Sequence, residues 1–395
     1  MKEGYEFTPN WGYKAGIRPA KEAVRLIYEG KTDAEIILRY TDYYKTMPEI
    51  AQLALSVAKT EKNIIDRALP NGVSMYINIP FCPTRCLYCS FSSPQSILAL
   101  HLIPEYLQAL YKEITASLDI IKANQNIIET IYIGGGTPTM LDTKQLNELL
   151  SKVSHLPQLK ELTVEAGRPD TITREKLEIL NRHNVTRISI NPQTMNDETL
   201  MTIGRPHTSE QTQAAVALAR EYGFNNINMD IIAGLPNETF EMFAHTVKQV
   251  IALNPENITV HAMCIKRTSN LKSNAESYAF TDDETVRNMV KFARETLIER
   301  GYTPYYLYRQ KDTLGDCENV GYSKPAFDGI YNIYMMAEIQ SVIACGAGSV
   351  TKIVDRDNSQ INRMFNVKEA IDYINRVDEM IERKILLIEN MRNLC

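Results

Sequence analysis

Three cysteines, Cys82, Cys86 and Cys89, lie within eight residues of one another in the run Ser74-Met-Tyr-Ile-Asn-Ile-Pro-Phe-Cys-Pro-Thr-Arg-Cys-Leu-Tyr-Cys-Ser-Phe91. Thiolates so close in sequence can hold three corners of a cubic iron–sulfur cluster, which normally takes four protein thiolates. No fourth cysteine is near, and the next in the chain is Cys264. A cluster held by three ligands keeps one iron open, as a catalytic metal site keeps one coordination position free. The alternatives are a structural zinc ion or three plain thiols. Zinc usually takes four ligands, with a C-x2–4-C pair and a distant second pair. Cys264, Cys317, Cys345 and Cys395 offer no such pair.

The cysteines need a rigid platform. Met75 to Ile79 is a short apolar run stopped by Pro80, the pattern of a buried strand ending abruptly in a loop. From there to about Met263, strand candidates at 74–79, 129–133, 160–165, 186–190, 226–232 and 257–262 alternate with helical spacing at 104–123, 143–152, 173–183, 208–222 and 238–252. Strands alternating with helices predict a parallel sheet. Six units are too few for an eight-stranded barrel, so the expected fold is α/β, an open, partial (β/α)6 barrel. Residues 1–70 read as a helical N-terminal cap, with helices at 22–28, after Lys31-Thr32-Asp33 and at 48–65, and with Trp11 as a packing anchor. Residues 71–265 form the barrel. Residues 266–395 form a mixed α/β C-terminal region: a helix at 282–300, an aromatic stretch at 301–310, a Gly/Asn/Lys-rich loop at 314–329, the small-residue run Cys345-Gly-Ala-Gly-Ser349 and an amphipathic helix at 367–391.

In such barrels the active groups sit at the C-terminal ends of strands, and motifs recur there. Gly134-Gly-Gly-Thr-Pro-Thr139 follows the second strand, and its glycines let backbone approach a ligand closely. Glu165 ends the third, within Thr163-Val-Glu-Ala-Gly167. A buried carboxylate without a partner is costly, and a cationic ligand would offset that cost; the alternative is a surface acid. Gln193 follows the fourth strand, Ile203-Gly-Arg-Pro-His207 comes one helical stretch later, and Asp230 lies in the fifth, placed to accept from hydroxyls. For Arg205 and Asp230 the alternative is a mutual or neighbouring salt bridge. His207 and His261 read as packed or solvated residues.

The cysteine spacing resembles the signature of the radical S-adenosylmethionine (SAM) enzymes. The ordered phrases Tyr-x-x-Ile-Pro-Phe-Cys, Gly-Gly-Gly-Thr-Pro-Thr, Glu-Ala-Gly-Arg-Pro-Asp, Gln-Thr-Met-Asn, Gly-Arg-Pro-His-Thr and Asp-Ile-Ile-Ala-Gly-Leu-Pro resemble the oxygen-independent coproporphyrinogen III oxidase (dehydrogenase) group. Pro304-Tyr-Tyr-Leu-Tyr-Arg-Gln-Lys311 through Glu318-Asn-Val-Gly-Tyr322 is similar to its firmicute-type branch. The resemblance implies a radical-SAM barrel whose [4Fe-4S] cluster is ligated by Cys82, Cys86 and Cys89. Its open iron is chelated by SAM, which the reduced cluster cleaves to methionine and a deoxyadenosyl radical. Tyr76 and Glu165 fall on catalytic positions and, with Gly135, contact that SAM. Tyr88, Gly136, Thr137, Gln193, Arg205, Asp230 and Ile232 match positions lining a second SAM site in the better-known oxidase. One position departs: a further cysteine of that oxidase, two residues after the third ligand, is Phe91 here, as in the heme-chaperone relatives.

The activity so implied is oxidative decarboxylation of two coproporphyrinogen III propionates to vinyl groups, giving protoporphyrinogen IX in anaerobic heme biosynthesis. An electron donor such as flavodoxin or ferredoxin is implied with it. The substrate carries four carboxylates, for which Arg18, Arg309, Lys311 and Lys324 are the candidate partners. The tyrosines at 302, 305, 306 and 308 read equally as pocket and as strand core. The rival readings are a heme-binding chaperone of the same family and a related radical methyltransferase or tetrapyrrole-modifying enzyme. With 44% hydrophobic residues the 395-residue chain can bury a large core, and its net charge of −5 implies no nucleic-acid partner. No apolar stretch approaches the ~20 residues of a membrane span, and the cysteine usage suits a reducing, cytoplasmic compartment.

Overall fold

A computed structural model describes residues 8–89, 100–265, 278–355 and 360–392. Near the N-terminus lie α1 (Ala20–Tyr28), α2 (Asp33–Leu38), a π-helical turn Arg39–Tyr43 and α3 (Pro48–Ile65). Thr32 caps α2 by accepting from the Glu35 amide while the Glu35 carboxylate accepts from the Thr32 amide, a reciprocal pair that satisfies two otherwise orphaned donors. The alternating region follows as β1 (Gly72–Ile79), α4 (Ile103–Ala123), β2 (Ile127–Gly135), α5 (Thr143–Ser151), β3 (Glu161–Glu165), α6 (Arg174–Arg182) and β4 (Arg187–Ser189). It continues through α7 (Asp197–Thr202), α8 (Ser209–Glu221), β5 (Ile227–Ala233), α9 (Phe240–Ala252) and β6 (Asn257–Ala262). All six expected strands are present, and each expected helix has its counterpart; the short α7 is additional. Beyond them come α10 (Asp283–Glu299), β7 (Thr303–Tyr308), β8 (Asn319–Ser323), α11 (Ile330–Ala337), β9 (Ser341–Cys345), β10 (Val350–Asp355), β11 (Gln360–Phe365) and α12 (Ala370–Arg392).

The chain forms two compact units. The cysteine-loop unit comprises Ala68–Asn191, Glu210–Ile227 and Glu338–Cys395. Its strands run in the order β11-β10-β9-β1-β2-β3-β4. β9, β1, β2, β3 and β4 are mutually parallel, and β10 is antiparallel to both β9 and β11. Met75, Ile77 and Ile79 of β1 are fully buried, as the strands of a parallel sheet covered on both faces must be. The Trp11 unit comprises Met1–Arg67, Pro192–Ser209 and Asn228–Ala337, and its strands run β5-β6-β8-β7. β5 and β6 are parallel, whereas β8 is antiparallel to β6 and to β7. Trp11 is buried and its indole N–H donates to Glu318 Oε2 at 2.9 Å, so it is a packing anchor.

Two expectations about the C-terminal region change. The stretch at 314–329 is not all loop, because it contains β8, every residue of which is buried. Within it, a Cβ at Gly321 would lie 2.0 Å from the Tyr306 ring, so that glycine admits the ring. The hairpin β10/β11 and the pairing of β9 with β1 were also not signalled, being long-range partnerships with no local sequence mark. Tyr302, Tyr305 and Tyr306 are buried, which favours the core reading for these three.

Candidate cluster and cofactor site

Within the cysteine-loop unit, Tyr76 and Asn78 are the two half-buried residues of β1 and share one face. The parallel register sets Tyr76 beside Tyr132, their rings stacked at 6.2 Å, and Asn78 beside Gly134. Tyr76 Oη donates to Asn78 Oδ1 at 3.2 Å. Tyr132 Oη donates to Glu165 Oε1 at 2.5 Å, and the Gly135 amide donates to Glu165 Oε2 at 3.2 Å. Glu165 therefore has a protein donor on each oxygen, which holds the carboxylate in place at the end of β3. The glycines are required by contact: a Cβ at 134 would sit 2.9 Å from the Glu165 carboxylate, and one at 135 would sit 1.7 Å from Asn78 Oδ1, at a φ of +104°. The turn is also laced to the cysteine loop, through Gly136 N–H to the Ile79 carbonyl and Thr137 N–H to the Phe81 carbonyl, both at 2.8 Å. Its amides serve the protein first.

Cys82, Cys86 and Cys89 are free thiols, each half-buried on the loop after β1. The Cys89 amide donates to the Cys86 carbonyl at 3.1 Å, a tight turn that holds the second and third thiols on one short arc. Thr137 Oγ1 donates to Cys82 Sγ at 3.4 Å. Burial pushes the Cys82 thiol up to about 11, Thr137 opposes, and Cys89 and Cys86 add to the rise; the three sulfurs thus share one electrostatic environment. Among the described residues no three His, Cys, Asp or Glu side chains converge as the ligands of a single metal ion would. Tyr88 is half-buried on the same loop, between the second and third cysteines.

The loop rests on a buried polar network that sequence reading missed. Asn78 Nδ2 donates to the Ala347 carbonyl at 2.5 Å, and Tyr106 Oη donates to the Asn78 carbonyl at 2.8 Å. The next residue back, Gly346, donates its amide to Glu113 Oε2 at 2.7 Å. Glu113 also accepts from Tyr373 Oη at 2.5 Å, Asn366 Nδ2 at 2.8 Å and Lys384 Nζ at 2.8 Å. Glu113 and Lys384 are both buried. A signal existed: Tyr373, Val377, Met380 and Lys384 form one helical stripe of α12, and a lysine in a core stripe needs a buried anion.

The remaining candidates lie in the Trp11 unit. Gln193 sits in the left-handed region at φ +70°, and its backbone pairs with β5: Gln193 N–H donates to the Asp230 carbonyl and Ile232 N–H to the Gln193 carbonyl, both at 2.9 Å. Gln193, Asp230 and Ile232 are therefore adjacent. Asp230 Oδ1 accepts from Asn228 Nδ2 at 2.8 Å, and Oδ2 lies 3.8 Å from His261 Nε2. Burial raises the Asp230 pKa, but hydrogen bonding and charge from His261, with Asn228 and Thr259, outweigh it and hold the carboxyl below its usual value. His261 is also within 3.3 Å of Tyr308 Oη and Asn319 Oδ1, so it is packed within a polar cluster. Arg205 and His207 are buried.

A model of the radical SAM superfamily matches residues 76–250. The oxygen-independent coproporphyrinogen-III oxidase-like protein HemZ of Bacillus subtilis is 38% identical over 97% of this chain and 78% of its own length. The chain belongs to the radical SAM coproporphyrinogen III oxidase-like family. The heme chaperone HemW of Bacillus subtilis is 36% identical over 49% of this chain and 51% of its own. The structure of coproporphyrinogen III oxidase (HemN) from Escherichia coli, a radical SAM enzyme, superposes with a TM-score of 0.61 at 24% identity over 82% of this chain and 73% of that one. That likeness shows the fold, the α/β partial barrel of these enzymes.

Family members use a [4Fe-4S] cluster and SAM, and the residues present fit the cluster. Three reduced thiols on one short loop supply three thiolates, one for each of three irons, and a hydroxyl already donates to one of the sulfurs. Phe91 lies outside the described residues. Of the cationic candidates for substrate in this family member, Arg309 donates from Nη1 to the Lys14 carbonyl at 2.7 Å and lies 5.5 Å over the Trp11 ring. Lys324 Nζ donates to the Asn254 carbonyl at 2.8 Å, beside Glu256 at 3.5 Å. Arg18 is half-buried and Lys311 is exposed. No helix among the described residues is long and apolar enough to cross a membrane.

Proposed function

We propose that this radical SAM family member decarboxylates two propionate side chains of coproporphyrinogen III to vinyl groups, giving protoporphyrinogen IX. The observation carrying this reading is the 38% identity to a coproporphyrinogen-III oxidase-like relative over 97% of the chain, which includes the C-terminal region as well as the barrel. Cys82, Cys86 and Cys89 are the cluster ligands. Bound at the reduced cluster, SAM supplies the hydrogen-abstracting chemistry. Around it, Glu165 is fixed by Tyr132 and Gly135 as an acceptor for the amino end of SAM. Tyr76 is braced on Asn78 beside it. Asp230, kept ionised by His261, is suited to accept from ribose hydroxyls. Tyr88, Gly136, Thr137, Gln193, Arg205 and Ile232 complete the SAM contacts, with a second SAM as the family pattern implies. Arg18, Arg309, Lys311 and Lys324 are the candidate partners of the substrate carboxylates. A low-potential flavodoxin or ferredoxin is the electron donor.

A second reading, heme delivery by a chaperone, is favoured by the match to HemW. One anaerobic incubation with SAM, dithionite and coproporphyrinogen III separates them. Mono- and divinyl products with 5′-deoxyadenosine and methionine support the enzyme. Stoichiometric heme binding without vinyl product overturns it in favour of the chaperone. Cys86→Ala should abolish the visible iron–sulfur absorbance after reconstitution; an unchanged spectrum refutes the ligand assignment.

A further inference from the structure

We propose that Arg168 is a positioning residue for the cysteine loop. Clamped by Asp170, it straps Thr84 in place and sets a buried positive charge beside the cluster's sulfurs, raising the cluster's reduction potential. The inference rests on the ligand assignment of Cys82, Cys86 and Cys89.

Arg168 is 2% exposed, and a charge so buried requires partners. It has them in a fork: Nε donates to Asp170 Oδ1 and Nη2 to Asp170 Oδ2, both at 2.9 Å. The remaining arm, Nη1, donates to Thr84 Oγ1 at 2.8 Å. Thr84 lies midway between Cys82 and Cys86, so this bond reaches the centre of the loop that separates two of the thiols. The base of the fork is fixed as well, because the Thr171 amide and hydroxyl donate to the Arg168 carbonyl at 3.0 and 2.8 Å. The two charges are unequally screened. The Asp170 side chain is 26% exposed and that of Arg168 is 3% exposed, so water damps the anion more than the cation and a net positive field remains at the loop.

Reduction adds one negative charge to the cluster, and a cation in a low-dielectric setting stabilises that state. A lysine would keep the charge but could not hold the bidentate grip and Thr84 together. Arg168 thus has two separable effects, a strap and a field.

The test uses the full chain, anaerobically reconstituted, as wild type, Arg168→Met, Arg168→Lys and Thr84→Val. Iron per chain, the potential from an EPR-monitored redox titration, and the half-life of the cluster in EDTA are measured. Arg168→Met should lower the reduction equilibrium constant at least tenfold, about 59 mV for one electron. Arg168→Lys and Thr84→Val should keep the wild-type potential and lose iron to EDTA several-fold faster. An unmoved potential in Arg168→Met, or unmoved EDTA half-lives in both Arg168→Lys and Thr84→Val, overturns the proposal. Should Arg168→Met fail to fold, Arg168→Gln takes its place in the redox titration, and an unmoved potential in that variant overturns the proposal. Wild type that takes up no iron refutes the ligand assignment and this inference with it, and the iron content distinguishes that failure from a fault in the strap.

Discussion

Glu238, in the loop after β5, offers a test of the electrostatics independent of any cofactor. Only 3% of it is exposed. Oε1 accepts from Thr194 Oγ1 at 2.6 Å and Asn196 Nδ2 at 3.0 Å, while Oε2 is buried with no partner among the described residues. Burial pushes its pKa up to about 7 from 4.5, against the two hydrogen bonds. The folded chain therefore binds this proton more tightly than the unfolded chain. Its stabilisation is complete below the unfolded value near 4.5 and is lost as pH rises through about 7. The gap corresponds to roughly 3 kcal/mol in all, of which about 2 kcal/mol is lost between about pH 5.5 and pH 8. Glu238→Gln keeps the Oε1-type acceptor and cannot ionise. Trp11, the single tryptophan, lies buried in the same unit and reports its unfolding. Urea unfolding of both proteins, followed by that fluorescence under anaerobic conditions, should show the variant gaining about 2 kcal/mol on wild type from about pH 5.5 to pH 8. A difference that stays constant to within about 0.5 kcal/mol across that range refutes the reasoning.

Three further outcomes are expected. Lys384→Met leaves the buried Glu113 anion short of its cation and should cost about 3–5 kcal/mol in chemical denaturation; adding Glu113→Gln should recover part of that loss, and a simply additive double mutant would contradict the pairing. Gly135→Ala forces a Cβ to within 1.7 Å of Asn78 Oδ1 and should lower iron per chain after reconstitution, measured by a colorimetric iron assay; wild-type iron content in the variant would contradict the turn's role. His261→Phe removes the chief partner that lowers the Asp230 pKa. A carboxyl held low contributes stability that is present above its unfolded pKa and lost as pH falls through its folded pKa, so the variant should be less stable than wild type near neutral pH and lose less on acidification, which urea titrations read by Trp11 fluorescence at several pH values would detect.

The barrel strands were legible because their signal is local: Met75 to Ile79 is an apolar run stopped by a proline, and short strand-like runs alternate with helical spacing along the region. The helices at 103–123 and 48–65 were equally plain from spacing and from the prolines in their first turns. The cysteines were legible because so few arrangements place three thiols on one loop. What escaped was relational. Glu165 is visible as an acid at a strand end, but its donor Tyr132 lies 33 residues earlier and one strand over. His261 looks unremarkable until the sheet register puts it opposite Ile232, next to Asp230. Arg168 stood within a phrase read for its resemblance, and only coordinates reveal that it reaches back 84 residues to Thr84.

The pairing of β9 with β1 carries a consequence for biogenesis. Val73 to Ile77 are matched by Ser341 to Cys345, so the strand that leads into the cysteine loop lacks one neighbour until the chain has been synthesised through that late strand. About 250 residues separate the last thiol from that neighbour, and at ribosomal speeds of about 5–20 residues per second the delay is on the order of ten to fifty seconds. During that interval the nascent thiols stand on an unfinished platform, open to oxygen and stray metal.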